Sequence, residues 1–321
     1  MDLLFVADPL DHFKTHKDST FAMMREAARR GHVLWACLPG ALRWQKGQGV
    51  TAAATRITLT GRSGAGVHDW YVVAEEAARP LKDFGAVLMR QDPPFDSEYF
   101  YATHLLGQAE REGARVFNKP SALREHPEKL AILEFPEFIA PTLVTREASA
   151  IRAFHAEHRD IILKPLDGMG GMGIFRVRDD GLNLGAIIET LNRDGAQTVM
   201  VQRFIPAIAD GDKRVLLIGG KPVPFALARI PQGGEVRGNL AAGGRGEARP
   251  ITDRERAIAE ALGPVLVARG LLLVGLDVIG EHLTEINVTS PTCFQEITDQ
   301  TGFDVAAMFV DALEAAAAEA A

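Results

Sequence analysis

Cysteine is scarce: the chain of 321 residues holds two, Cys37 and Cys293, far apart and in no CxxC pair. That excludes a disulfide framework and offers no zinc ligand set. Long apolar runs are missing too. The best, Leu271 to Ile279, is too short to span a membrane and carries Asp277 within it. Leu3-Leu4-Phe5-Val6-Ala7 reads as a buried strand stopped by Asp8-Pro9, with no basic segment before it and no cleavage site after it, so no signal peptide is expected. Positive charge is not in excess either. The net charge is -7, the isoelectric point is near 5.8, and Lys and Arg are scattered, which leaves no footprint for a phosphate backbone. The sequence therefore predicts a cytoplasmic chain with neither nucleic acid nor membrane as partner.

What is present is an ordinary globular balance, 47% hydrophobic and 24% charged, at a length that favours two or three packed units. Residues 3–7, a helix over 20–30 capped by Ser19 and stopped at Gly31, and a strand over 33–38 spell a βαβ unit. Strand signals at 86–89 and 114–117, around a helix over 97–112, repeat the alternation and predict a parallel sheet. Residues 40–66 show little periodicity and are expected to be loops or a short meander. Asn118-Lys119-Pro120 breaks the pattern, and a helix is expected over 127–135. Beyond 142 come a short strand, a helix over 147–157, two strands around a glycine loop, a helix over 183–192 and a strand over 198–202. The alternations 212–219 and 222–229 then predict an antiparallel hairpin turned at Gly219-Gly220. The fold class expected is α/β followed by α+β. The units expected are 1–120, 124–202 and 203–316.

Three clusters carry chemistry. Lys164 closes an apolar strand before Gly168-Met169-Gly170-Gly171-Met172-Gly173, and Ile174-Phe175-Arg176-Val177 reads as a second strand. The glycine spacing matches a dinucleotide fingerprint, but that fingerprint requires a helix where this sequence has a strand. A glycine hairpin can instead lie across phosphates, its backbone N–H groups approaching the anion while Lys164 neutralises charge. Asp277, Glu285 and Asn287 lie on two short strands joined by a tight turn, where alternate side chains share a face, and three hard oxygen ligands suit Mg²⁺ held between phosphate oxygens. The stretch 230–246 is rich in glycine and flanked by Arg229 and Arg245, a pattern for a functional lid that captures anions. Cys293 has no histidine or nucleophile elbow around it, so packing is its expected role.

With these clusters in hand, the chain closely resembles the prokaryotic glutathione synthetases of the ATP-grasp superfamily. The matching segments are Asp92-Pro93-Pro94-Phe95-Asp96, Asn118-Lys119-Pro120, residues 162–171, Asp210-Gly211-Asp212-Lys213-Arg214, the loop 229–246, and Thr284 to Thr292. The resemblance spans nearly the whole chain. It implies an N-terminal domain before an ATP-grasp fold of two α+β subdomains, the lid being 230–246. It also implies ATP-dependent ligation of γ-glutamylcysteine with glycine through an acyl phosphate, giving glutathione, ADP and phosphate. ATP is the nucleotide and Mg²⁺ (or Mn²⁺) the metal. Lys129, Lys164, Gly168, Gly170, Gly171 and Asp212 would hold ATP, and Gln202, Arg203, Phe204 and Ile205 would form the adenine hinge. Arg214, Lys164 and Arg229 would act in catalysis, with Arg214 facing the phosphoryl group in transfer. Arg90, Arg229, Arg237, Asn239, Ser290, Pro291 and Thr292 would hold substrate, and Asp277, Glu285 and Asn287 the metal. A homo-oligomer, commonly a tetramer, is implied as well. The alternatives are an ATP-grasp ligase with another acceptor and an ATP-binding regulatory protein without catalysis. Departures from the family pattern fall at Met172-Gly173, at Gln295 and across 40–66.

Overall fold

The computed structural model of the chain describes residues 1–319 apart from 168, 169, 235, 236, 239, 241 and 242. Three sheets follow one another along the chain, and each owes its place to which strand faces are apolar.

The first sheet has seven strands: β1 (Asp2–Val6), β2 (Val33–Cys37), β3 (Leu42–Gln45), β4 (Gly49–Leu59), β5 (Tyr71–Pro80), β6 (Ala86–Met89) and β7 (Val116–Phe117). β2, β1, β6 and β7 are parallel neighbours. Their near-continuous apolar spelling is that of strands covered on both faces. The first crossover is α1 (Ser19–Arg29). Its N-cap is Asp18, whose carboxylate accepts from Phe21 N, and not Ser19 as the sequence suggested; the Ser19 hydroxyl accepts from Phe294 N instead. A second helix, α2 (Ser97–Arg111), is capped by Asp96.

Of the loops or short meander expected over 40–66, the structure has the meander, carried on to residue 80. β4 pairs antiparallel with β2, β3 and β5, and the β4–β5 hairpin is the longest in the molecule. Val50, Ala52 and Ala54 are buried in alternation, so the period of two is there but is spelled largely in alanine. The helix expected over 127–135 is corrected. That stretch holds a 3₁₀ turn, Ala131–Glu134, while the α-helix α3 (Pro120–Glu125) starts earlier, with Pro120 in its first turn.

The second sheet runs β10 (Phe175–Val177), β9 (Ile161–Pro165), β11 (Val199–Arg203) and β8 (Thr142–Thr145), all antiparallel. Ile161, Leu163, Val177, Val199 and Val201 turn one face onto α4 (Ala148–His158) and α5 (Leu184–Asn192), forming a core of their own. Ile162, Lys164 and Gln202 therefore face the other way.

The third sheet runs β14 (Arg245–Pro250), β13 (Lys221–Ile230), β12 (Asp212–Ile218), β15 (Leu273–Ile279) and β16 (His282–Asn287). The β12–β13 turn at Gly219-Gly220 is as the sequence predicts, both glycines having positive φ. α6 (Asp253–Ala268), opened by a Thr252–Glu255 capping box, crosses this turn so closely that a Cβ on Gly263 would lie 2.1 Å from Gly220 O. α7 (Phe294–Thr301) and α8 (Val305–Glu319) pack on α1, joining the first and third sheets in one core. Asn118 stitches the same junction. Its amide donates to Leu273 O and Val288 O and accepts from Leu273 N.

Candidate active site

The polar faces of the second and third sheets look into one cavity of about 320 Å³, lined also by Asp92 and Pro93 from the loop after β6. Register explains how residues far apart in sequence meet there. Arg214 on β12 lies opposite Asp277 on β15, and Asp277 lies opposite Glu285 on β16. Asp212 lies opposite Arg229 on β13. Directly paired residues project from the same face, so charged side chains form a continuous row across the sheet.

The row is held by ion pairs in a water-poor setting. Arg214 donates to both Asp277 oxygens, at 2.5 Å through Nε and 3.1 Å through Nη2. Arg229 Nη2 reaches Asp277 Oδ2 at 2.8 Å and Asp212 Oδ2 at 2.6 Å. Burial alone would push the Asp277 carboxyl up, but the two guanidiniums outweigh it and hold it well below the usual carboxylate range. Burial pushes the Asp212 carboxyl up, against the pull of Arg229. Asp212 Oδ1 is buried without a partner among the described residues.

Across the cavity stand the lysines. Lys164, fully buried at the end of β9, and Lys129, brought in by the segment before the 3₁₀ turn, each place Nζ 3.8 Å from Glu285 Oε1. Ile286 N donates to Glu128 O, which pins that segment to β16. Burial pulls the Lys164 ammonium below its ordinary pKa, and Glu285 opposes the fall. A buried cation pair in contact with one shared carboxylate suits a polyanionic ligand, because a further anion relieves like-charge repulsion.

The donor set was tested for a divalent cation. Glu285 and Asn287 line the cavity. The Asn287 amide nitrogen donates to Gly275 O, which leaves its oxygen to face a ligand. Asp277 lies behind the cavity wall, and three of its four acceptor positions are taken by Arg214 and Arg229, leaving one on Oδ1. No group of three or more His, Cys, Asp or Glu placed to hold a metal ion occurs among the described residues. The residues thus fit a hard cation that draws its remaining ligands from phosphate, and do not form a complete protein cage.

Of the expected site residues, Lys129, Lys164, Gly170, Gly171, Gln202, Arg203, Phe204, Ile205, Asp212, Arg214, Arg229, Arg237, Ser290, Pro291 and Thr292 all line the cavity. Gly168 and Asn239 lie outside the described residues. Arg90 departs from expectation. It is buried behind the wall, donating to Thr20 Oγ1 and to Pro291 O, while its own carbonyl accepts from Ser290 Oγ. It therefore shapes the Ser290–Thr292 turn and does not itself line the cavity. Arg237 reaches from the 230–246 stretch to Gly171 O at 3.5 Å. Gln295 is buried and donates to Thr15 O and Asp18 O, tying α7 to the segment before α1.

Sequence reasoning missed Asp92, Glu128, Thr284, Thr289 and Cys293 as cavity residues. Burial, with Glu285 adding to it, pushes the Glu128 carboxyl up to about 7. Its place beside Lys129 was the one sequence signal available. The Cys293 thiol is pushed up by burial, which agrees with packing as its role.

The sequence matches the families described as "Prokaryotic glutathione synthetase, N-terminal domain" over residues 1–124 and "Prokaryotic glutathione synthetase, ATP-grasp domain" over 128–302. It is 63% identical to a glutathione synthetase of Ralstonia nicotianae over 100% of this chain and 97% of the relative. The figure is 59% for one of Nitrosomonas europaea, covering 98% of each. Among solved structures it resembles the D-cycloserine synthetase DcsG, with a TM-score of 0.68 at 16% identity over 100% of both chains. It also resembles the ATP-grasp ligase PsnB in complex with minimal precursor, Mg and ADP, with a TM-score of 0.61 at 19% identity over 99% of this chain and 98% of that one. At these identities the structural likeness speaks for the fold alone.

Proposed function

The chain belongs to the prokaryotic glutathione synthetase family, and from that premise we propose how its own residues carry out ATP-dependent synthesis of glutathione. The chain is an ATP-dependent ligase. The observation that carries the residue-level reading is the meeting of Lys129 and Lys164 on Glu285, opposite the row of Arg214, Asp277, Arg229 and Asp212.

Amide formation from a free carboxylate is unfavourable in water, so the acid must first be activated and the activated species kept dry. The γ-glutamylcysteine carboxylate attacks the terminal phosphorus of ATP, giving an acyl phosphate and ADP. The glycine amine then attacks the acyl carbon and releases phosphate. Lys129 and Lys164 bind the phosphates, while Arg214 and Arg229 hold positive charge fixed beside the group in transfer. Asp277 orients both guanidiniums, which is why its burial between them matters as much as its one remaining acceptor position. Glu285, Asn287 and Asp277 would hold Mg²⁺ or Mn²⁺, which when bound neutralises adjacent phosphate oxygens. Asp212 Oδ1, a buried acceptor without a partner, suits a hydroxyl of the nucleotide. Ser290, Pro291 and Thr292, set by Arg90 from behind, would meet the dipeptide. The stretch 230–246 would act as a lid over the site, a reading that the approach of Arg237 to Gly171 O supports.

The same proposal divides the chain at 1–120, 124–202 and 203–316, since each part carries a sheet of its own. It also places the protein in the cytoplasm as a homo-oligomer. No helix among the described residues is long and apolar enough to cross a membrane.

The test is ADP release with γ-glutamylcysteine and a panel of amines. Turnover is expected only when ATP, a divalent cation, the dipeptide and glycine are all present. ADP release with another acid but none with γ-glutamylcysteine would overturn the substrate assignment.

A further inference from the structure

Arg176 is not among the residues assigned above, yet its surroundings give it a task. It sits on β10, the strand that leaves the glycine loop, directly opposite Ile162 on β9, which in turn lies opposite Gln202 on β11. Cross-strand partners share a face, so Arg176 projects on the side where Ile162 and Gln202 line the cavity. Its guanidinium lies 3.5 Å from the ring centroid of Phe204. It also forms a bidentate pair with Asp160, Nε to Oδ1 at 2.9 Å and Nη2 to Oδ2 at 2.6 Å.

Asp160 completes the arrangement through its backbone. Phe204 N donates to Asp160 O at 2.9 Å, and Arg203 N donates to Pro141 O. The next amide, Ile205 N–H, has no partner among the described residues, although Ile205 lines the cavity. The segment 202–205 is thus fixed at two amides and over one ring, with a donor left over where a nucleobase would lie. A planar guanidinium locked by a carboxylate and stacked on an aromatic face loses little freedom on making the contact, and it cannot slide without breaking a charge-assisted pair.

We propose that Arg176, held by Asp160, is a positioning residue that couples the glycine loop to the nucleobase-binding segment 202–205, so that phosphate and base are gripped in one fixed relation. The inference rests on the reading of 202–205 as the base hinge. Arg176 touches Phe204 and not the reacting atoms, so its effect falls on nucleotide binding and base discrimination, not on the chemical steps.

The experiment compares Arg176→Met, Arg176→Lys and Phe204→Ala in the full-length enzyme, measuring kcat, the KM of each substrate, direct ADP binding by calorimetry, and the ratio of ATP to GTP turnover. Arg176→Met is expected to raise the KM for ATP and the Kd for ADP about tenfold, the scale of a partly desolvated cation–π contact. It should leave kcat within about twofold, leave the KM values for γ-glutamylcysteine and glycine unchanged, and lower the preference for ATP over GTP. Arg176→Lys keeps a cation over the ring but loses the fork, so it should fall between wild type and Arg176→Met. Unchanged nucleotide affinity in Arg176→Met alongside weakened affinity in Phe204→Ala overturns the coupling and leaves the hinge standing. Unchanged affinity in both overturns the hinge reading and the coupling with it. A uniform fall in kcat with rises in all KM values marks Arg176 as merely structural and also overturns the proposal.

Discussion

Arg214 and Asp277 face each other across neighbouring strands, and the fork of one grips both oxygens of the other at 2.5 and 3.1 Å. The geometry depends on a missing side chain. Gly275 lies two residues before Asp277, so it is on the same face, and a Cβ there would lie 2.8 Å from Arg214 Cδ. Gly275→Ala must therefore move the Arg214 stem and break its alignment with Asp277. The expected outcome is a folded protein that loses activity on the order of tenfold or more, with the loss in kcat exceeding any rise in the KM for ATP. Normal kcat in the alanine variant would show that the pair tolerates displacement.

Lys164→Ala and Glu285→Ala should each leave the fold intact and lower ATP turnover on the order of a hundredfold or more. On the proposed roles, the first deletes phosphate neutralisation; the second deletes the acceptor shared by Lys129 and Lys164 and an oxygen ligand proposed for the cation. Circular dichroism and ADP release on the purified variants decide it. Near-normal ADP release from either one would remove the nucleotide from this cavity.

Acid should loosen the tie between the two ends of the chain. Glu26 accepts from Arg29 Nε and Nη2 and from Arg30 Nε, and Arg30 also reaches Asp311 and Glu314 on α8. The hydrogen bonds from Arg29 come first, ahead of the opposing effect of burial and the further bond from Arg30, and hold the Glu26 carboxyl down at about 2, against 4.5 ordinarily. A carboxyl depressed in the folded state stabilises fully above the unfolded pKa, and the contribution fades as pH falls from 4.5 through about 2. With Arg29 largely exposed, the share is on the order of 1 kcal/mol. Denaturant unfolding of wild type and Glu26→Gln should differ by that amount at pH 6 and converge toward pH 2. A difference independent of pH would place the effect in packing.

How much of this was legible follows from where each signal resides. That Glu285 and Asn287 share the face that lines the cavity was readable because alternation and a tight turn spell it locally, and the segments 162–171 and 284–292 are long and specific. The Gly219-Gly220 hairpin was readable for the same local reason. The β4–β5 hairpin was readable only as one of two alternatives, a meander or loops. Its inward side chains are Val50, Ala52 and Ala54, and small residues make a weak hydrophobic alternation whose burial is decided by β2 and β3. Arg90 entered only through the family resemblance, and no local pattern could show that it pairs with the Ser290–Thr292 turn, about 200 residues away in the chain, from behind the cavity lining. Asp92, though inside the matching segment 92–96, and Glu128, beside Lys129, carry no local signal of a role in the cavity, which both line.

The last prediction concerns Arg237, whose guanidinium approaches Gly171 O at 3.5 Å and, on the proposed reading of 230–246 as a lid, would anchor that lid to the glycine loop. An acyl phosphate formed inside survives only while water is kept away, and a loop rich in glycine needs an anchor to stay shut. Arg237→Ala removes that anchor without touching Lys129, Lys164 or the cation ligands. ATP should still be consumed with γ-glutamylcysteine, but part of the activated acid should meet water before glycine, so ADP is released in excess of glutathione. Wild type should give one tripeptide per ADP, and the excess in the variant should shrink as glycine is raised, since the amine then competes better with water for the same intermediate. Parallel measurement of ADP and tripeptide over a glycine series reads the ratio directly. A ratio that stays at one while overall activity falls would assign Arg237 to substrate binding alone, and the closure of 230–246 would then need another anchor.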